Sequence, residues 1–117
     1  FTLDDAGAVA GYMIAYPWPE GAIPPLDAML RTLPDERSAL YLHDLALLPE
    51  ARGRGCADAG IALLIARARA LGGTSLSLVS VNASSRFWER YAFETIDASA
   101  AKLASYGGGA RYMRRNL

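Results

Sequence analysis

A chain of 117 residues, 52% hydrophobic and 21% charged, has the length of one domain and the composition of a globule with a core, which excludes intrinsic disorder. Twelve basic residues balance twelve acidic ones, so no net charge draws the chain to nucleic acid or to an anionic membrane. A single cysteine, Cys56, and a single histidine, His43, exclude an internal disulfide and the clustered ligands of Cys-rich or multi-His metal sites, and no metal is expected.

No apolar run approaches the ~20 residues of a bilayer span, and no basic-then-apolar leader opens the chain, so a cytoplasmic protein is expected. Eleven of the twelve basic residues are Arg and Ala is abundant, the coding bias of a GC-rich, bacterial source. The first residue is Phe1 rather than Met, and further residues are expected upstream.

In chain order, Ala8 to Tyr16 is an apolar, partly β-branched and aromatic run that predicts a buried strand stopped by Pro17. Phe1 to Leu3 is expected to pair with it across a turn at 4–7. Five of the six prolines fall between Pro17 and Arg37, around one helical candidate, Leu26 to Leu33, in a connection long enough to suggest function. Ala39 to Leu48 is a second nearly continuous apolar strand, closed by Pro49, with His43 and Asp44 as the anomaly in its interior. Arg52-Gly53-Arg54-Gly55 then makes a basic, glycine-containing loop. Cys56 to Leu71 follows as the strongest helix, with Ile61, Leu64, Ala68 and Leu71 at helical spacing and Gly72-Gly73 as its stop. Ser75 to Val81 alternates as a strand, Ala83 to Tyr91 reads as a short helix, and Phe93 to Ile96 and Ala110 to Met113 as strands around the loop at 106–109. This order predicts a single α/β (α+β) domain over residues 1–117 with a mixed sheet.

A strand, a glycine-containing basic loop and an immediate helix together make an anion site: glycines let backbone N–H groups approach closely, and the helix N-terminus adds partial positive charge. Arg52 and Arg54 would supply countercharge. The competing reading is a plain strand-to-helix turn with solvated arginines. The spacing fits neither the dinucleotide fingerprint nor a nucleotide-binding P-loop, because no Lys-Ser/Thr follows Gly55.

Arg52-x-x-Gly55-x-Ala57, behind the strand end Leu45-Ala46-Leu47 and Pro49, resembles the Arg/Gln-x-x-Gly-x-Gly/Ala signature of the GNAT superfamily of N-acetyltransferases. Asn82-Ala-Ser-Ser-Arg-Phe-Trp-Glu-Arg-Tyr-Ala-Phe93 resembles that superfamily's second signature, with Ala92 in place of the usual Gly. The resemblance covers residues 8–116, with the cofactor-binding core at about 39–93. It implies a mixed, mostly antiparallel sheet with flanking helices, abbreviated at its N-terminus. It also implies transfer of an acetyl group from acetyl-CoA, as cosubstrate and without a metal, to a small-molecule or peptide amine. Through it, the backbone of Leu45, Ala46 and Leu47 is expected to hold the pantetheine arm. Gly53, Arg54, Gly55, Cys56 and Ala57, ending at Asp58, would hold the pyrophosphate. Asn82 would meet the arm, and Trp88 would lie near the thioester sulfur. Cys56 at a helix N-terminus reads either as a reactive thiol or as a small filler; direct transfer needs no thiol, which favours the filler.

Direct transfer needs a neutral amine, a base for its proton, donors for the developing oxyanion and, optionally, an acid for the thiolate. Histidine alone titrates ordinarily near neutrality, and the resemblance places His43 on the strand where some relatives carry a base; the competing reading is a core histidine. Strand alternation puts Tyr41 on the face of His43, beside the acceptor, and Asp44 on the other, unless a bulge re-aims Asp44. The family's usual acid is a tyrosine where this chain has Trp88, so Tyr91 is the substitute candidate, against a packing role. Either the Pro-rich segment or a second subunit, in a homodimer, would wall the acceptor site. A CoA-binding module without catalysis is the alternative function.

Overall fold

β-Branched and aromatic side chains on a pleated surface make the run from Ala8 a strand, and it runs further than expected. In a computed structural model of the protein, the residues described are 2–5, 8–19, 21, 23–24, 39–53, 55–81, 84–98, 100–103 and 106–117. The helical candidate Leu26 to Leu33, Phe1, Arg54 and Asn82 lie outside them. The described residues form β1 (Thr2–Asp5), β2 (Ala8–Trp18), β3 (Ala39–Leu47), α1 (Cys56–Ala70), β4 (Ser75–Ser80), α2 (Ser85–Glu89), β5 (Glu94–Thr95), α3 (Ala100–Leu103) and β6 (Arg111–Asn116). A 3-10 turn, Pro49–Ala51, follows β3.

The sheet order is β1-β2-β3-β4-β6-β5. Only β3 and β4 pair in parallel; every other neighbouring pair is antiparallel, which gives the mixed, mostly antiparallel sheet expected. Several boundaries differ from expectation: β6 runs on past Met113 to Asn116, and α2 ends at Glu89 rather than Tyr91. Asp4 and Asp5 extend β1 instead of turning, and β2 passes through Pro17 to Trp18, with Pro17 opposite Leu40. Among the described residues β1 accompanies β2 only as far as Tyr12, so the later half of β2 has no second strand partner there, and a residue lacking an N–H is tolerated.

One face of the sheet carries the core. Met13, Leu40, Leu42, Leu76, Leu78, Phe93 and Met113 pack with Ile61, Leu64 and Ala68 of α1, the i, i+3, i+7 stripe of an amphipathic helix. Leu71, expected to extend that stripe, is 53% exposed because the helix closes there. Gly73 donates to Ala68 O and Gly72 to Arg69 O, a Schellman closure with Gly72 at φ +76°.

α2 closes the same way. Phe93 donates to Trp88 O and Ala92 to Glu89 O, and the residue in the left-handed position is Ala92, at φ +66°. The place where the family signature has Gly is therefore one whose backbone asks for Gly, and Ala92 sits there under strain. Ala92→Gly should relieve it and stabilise the fold by about 0.5–1 kcal/mol. A melting temperature about 2–5 °C higher is expected; an unchanged or lower one would show that the turn tolerates alanine without cost.

Candidate functional site

The parallel ladder between β3 and β4 ends at Leu42↔Leu78, whereas β3 stays paired with β2 as far as Leu47. A β-bulge falls at that point: Ile14 faces Asp44 and Ala15 faces Leu42, so His43 is the extra residue. A bulge bends its strand and increases the local twist, and here it carries β3 away from β4. From His43 to Leu47, the edge of β3 towards β4 has no strand partner among the described residues, and its backbone donors and acceptors are free for a ligand.

An open cleft of about 1050 Å³ occupies the gap. Leu42 to Leu47 form one wall; Arg52, Gly53, Gly55, Cys56, Ala57 and Asp58 close one end; Leu78, Val79, Val81, Phe87, Trp88 and Tyr91 complete it. Gly53 and Gly55 hold φ near +80°, a turn that L side chains disfavour. Gly55 caps α1 without any side-chain hydrogen bond, and the first intrahelical donor is Ala59, to Gly55 O. The N–H groups of Cys56, Ala57 and Asp58 therefore point out of the helix unclaimed by a cap, which is an anion-binding geometry.

Gly11 fixes the other side of β3. A Cβ there would sit 2.1 Å from the carbonyl oxygen of Ala46, so only glycine allows this approach of β2 to the cleft-lining strand. Sequence reading passed over Gly11; a glycine inside an apolar strand run is the signal that could have found it.

The bulge also decides the two anomalous side chains. His43 is exposed rather than a core residue, and its ring lies 6.2 Å from that of Tyr16. Alternation would send Asp44 to the opposite face, but the bulge turns it to the same side, where its Oδ2 accepts a 2.8 Å hydrogen bond from the Tyr12 hydroxyl. That hydrogen bond and the carboxylate's charge raise the Tyr12 pKa. Tyr41 does share this face, but it is 1% exposed. Its hydroxyl lies 3.3 Å from that of Tyr106, which itself donates to the carbonyl of Pro24, so Tyr41 is the donor between them. Burial first, then that hydrogen bond, pushes the Tyr41 pKa far up. Tyr41 is not among the residues lining the cleft and offers no free hydroxyl.

Trp88 lines the cleft and packs edge-on against Phe93, with ring centroids 5.7 Å apart. Tyr91 lies just past α2 in the closing turn, not within the helix, and its carbonyl accepts from Arg115 at 3.0 Å. Its hydroxyl donates across to Asp58 Oδ1 at 2.6 Å, joining α2 to the first turn of α1. Desolvation, then Asp58, raises the Tyr91 pKa to about 12. The Asp58 side chain is thus engaged, leaving its backbone N–H for an anion. Cys56 is a half-buried free thiol at the cleft end. Among the described residues no group of His, Cys, Asp and Glu could hold a metal, and no helix is long and apolar enough to cross a membrane.

The profile of the acetyltransferase (GNAT) family matches residues 1–93. The chain belongs to the GNAT acetyltransferase family. Among solved structures it is similar to Ard1 from Thermoplasma volcanium, with TM-score 0.66, 17% identity, 96% of this chain and 66% of that one. It is also similar to N-acetylglutamate synthase from Neisseria gonorrhoeae complexed with coenzyme A and N-acetyl-glutamate, with TM-score 0.72, 19% identity, 99% of this chain and 25% of that one. A third is the Bacillus subtilis N-acetyltransferase YlbP in complex with coenzyme A, with TM-score 0.65, 17% identity, 99% of this chain and 66% of that one. The chain thus spans no more than about two thirds of these relatives' lengths. No curated protein sequence matches it. These likenesses confirm the fold, a GNAT-type sheet.

The Tyr91–Asp58 bridge gives a spectroscopic prediction. Asp58→Asn should move the Tyr91 ionisation down from about 12 towards the ordinary 10, since it removes the carboxylate's charge and weakens the hydrogen bond while leaving desolvation. Tyrosinate absorbance, with Tyr91→Phe as the difference reference, reads it; an unmoved titration would remove Asp58 from the site's electrostatics.

Proposed function

We propose that the chain is the core of an acetyl-CoA-dependent N-acetyltransferase that moves the acetyl group to an amine by direct attack on the thioester. The observation that carries this reading is the unpaired edge of β3 facing, across one cleft, a helix N-terminus that no side chain caps. An extended pantetheine arm can add to Leu45, Ala46 and Leu47 as a strand would. A diphosphate suits the free N–H groups of Cys56, Ala57 and Asp58, with Arg52 as countercharge, and the resemblance adds Arg54 there and Asn82 on the arm. Acetyl-CoA supplies the activated acyl group; the chain's residues orient it and handle the proton. The apolar Trp88 ring would lie against the thioester.

His43, exposed where the bulge opens into the cleft, would take the amine's proton, directly or through a water, as the C–N bond forms. As the C–S bond breaks, the leaving thiolate takes a proton from water or from Tyr91, whose hydroxyl would first have to leave Asp58. The acceptor is a small-molecule or peptide amine, the reaction needs no metal, nucleic acid or membrane, and the setting is the cytoplasm. Ile23 and Pro24 are buried, and Gly21 donates to the Tyr112 hydroxyl at 2.9 Å, which supports the Pro-rich segment as the acceptor wall; a homodimer is the other way to build it. A CoA-binding module without turnover is the second reading, favoured by Trp88 at the family's tyrosine position and by the engaged Tyr91 hydroxyl.

Gly55→Glu should abolish acetyl-CoA binding in calorimetry, because a carboxylate would stand against the diphosphate. Gly55→Ala is the control for backbone strain at φ +81°, since its Cβ meets nothing within 4 Å. Equal affinity in the native chain and Gly55→Glu would sink the assignment. His43→Ala should lower kcat by roughly 10²-fold and remove the acidic limb of the pH–rate profile with CoA affinity intact. A profile that keeps its acidic limb would dismiss His43 as base, and binding without turnover in the native chain would favour the second reading.

A further inference from the structure

Beside the cleft, at the bulge, the side chains of β2 and β3 form a strip that shares only His43 and Asp44 with the cleft lining. Tyr12, Ile14 and Tyr16 share one face of β2, with Asp44 opposite Ile14 and His43 beside Tyr16. Tyr12 is 44% and Ile14 47% exposed, so the strip is open. Asp44 is its only charged residue among those described; the arginines Arg52 and Arg90 line the cleft elsewhere. Tyr12 engages Oδ2 of Asp44, and a carboxylate offers about four acceptor sites in all, so acceptor capacity remains for a further donor. A carboxylate on a face that also carries the rings of Tyr12 and Tyr16 suits an organic cation, through charge-assisted hydrogen bonds and cation–π contact.

Resting on the acetyltransferase reading, we infer that the acceptor is a primary amine bearing a second positive charge, and that Asp44 with Tyr12 and Tyr16 holds the second charge. With His43 as the base, a carboxylate at the reacting nitrogen would only favour the protonated amine, and only the neutral amine attacks. Asp44 therefore serves the cation that keeps its proton, and neighbouring His43 serves the one that loses it. The same strip disfavours acceptors whose far end is a carboxylate or phosphate.

Three alkylamines of similar reach separate the possibilities: cadaverine with a distal ammonium, pentylamine with a methyl group, and aminovalerate with a carboxylate. With the intact chain, kcat/KM for cadaverine should exceed that for pentylamine by roughly tenfold, with aminovalerate lowest. Asp44→Asn should bring cadaverine down to the pentylamine level, and added salt should narrow the native gap. Calorimetry of cadaverine with the chain alone reads the site without turnover, and roughly tenfold weaker binding by Asp44→Asn is expected. Acetyl-CoA turnover with pentylamine as good as cadaverine, or a preference that survives Asp44→Asn, would overturn the inference and leave the acetyltransferase intact. Asp44-dependent cadaverine binding without acetyl-CoA binding would sink the acetyltransferase reading and leave Asp44 as a cation site.

Discussion

The site exists because β3 is satisfied on one side and not on the other. Backbone N–H and C=O groups in a sheet interior must find partners, and β2 provides them along β3 as far as Leu47, while β4 does so only up to Leu42. The bulge at His43 produces the difference, since an extra residue bends one strand out of its neighbour's plane. Gly11 makes it durable by letting β2 hold the diverging half of β3 at a distance no Cβ would permit. A strand edge left free by a neighbour that has swung away is a template for an extended ligand, and the cleft is that template with walls.

The second wall depends on how two helices begin and end. α1 starts at Cys56 behind Gly55, and no side chain caps its first-turn donors, which stand at the end of the cleft. α2 ends in a closure that turns Phe93 into the core and leaves Trp88 against it, facing the cleft. Tyr91 reaches from that closure to Asp58, so the beginning of one helix and the end of the other are held as one rim.

The sheet's two faces divide the labour. The α1 face is aliphatic and sealed, and it sets stability. The opposite face is lined with tyrosines whose hydroxyls tie distant segments together: Tyr41 to Tyr106, Tyr106 to Pro24, and Gly21 to Tyr112. These contacts span 65 to 91 residues of sequence, and they bring part of the Pro-rich connection onto the face where His43 and Asp44 emerge.

Local pattern determined much of this protein. Apolar runs located β2 and β3, helical spacing located α1, Gly72-Gly73 marked its end, and the two signatures located the loop at 52–57 and the helix before Phe93, because each of these properties is carried by residues adjacent in sequence. The anomaly of His43 and Asp44 was visible in the same way. Register was not. Which residue of β3 would be the extra one depends on how β2 pairs with it, and that pairing sends Asp44 to the face that alternation denied it. Pro17 inside a strand, serines at 75 and 77 buried in a central strand, and the meeting of Tyr12 with Asp44 and of Tyr91 with Asp58 are decided by neighbours more than thirty residues away or by a strand's place in the sheet. The sequence by itself determined most of the segments that form helix and strand, α3 excepted, and which loop has the glycines and helix start of an anion site, since those depend on short-range sterics and periodicity; only tertiary structure decided which side chains share the cleft, because a one-residue bulge turns every later residue of its strand to the opposite face.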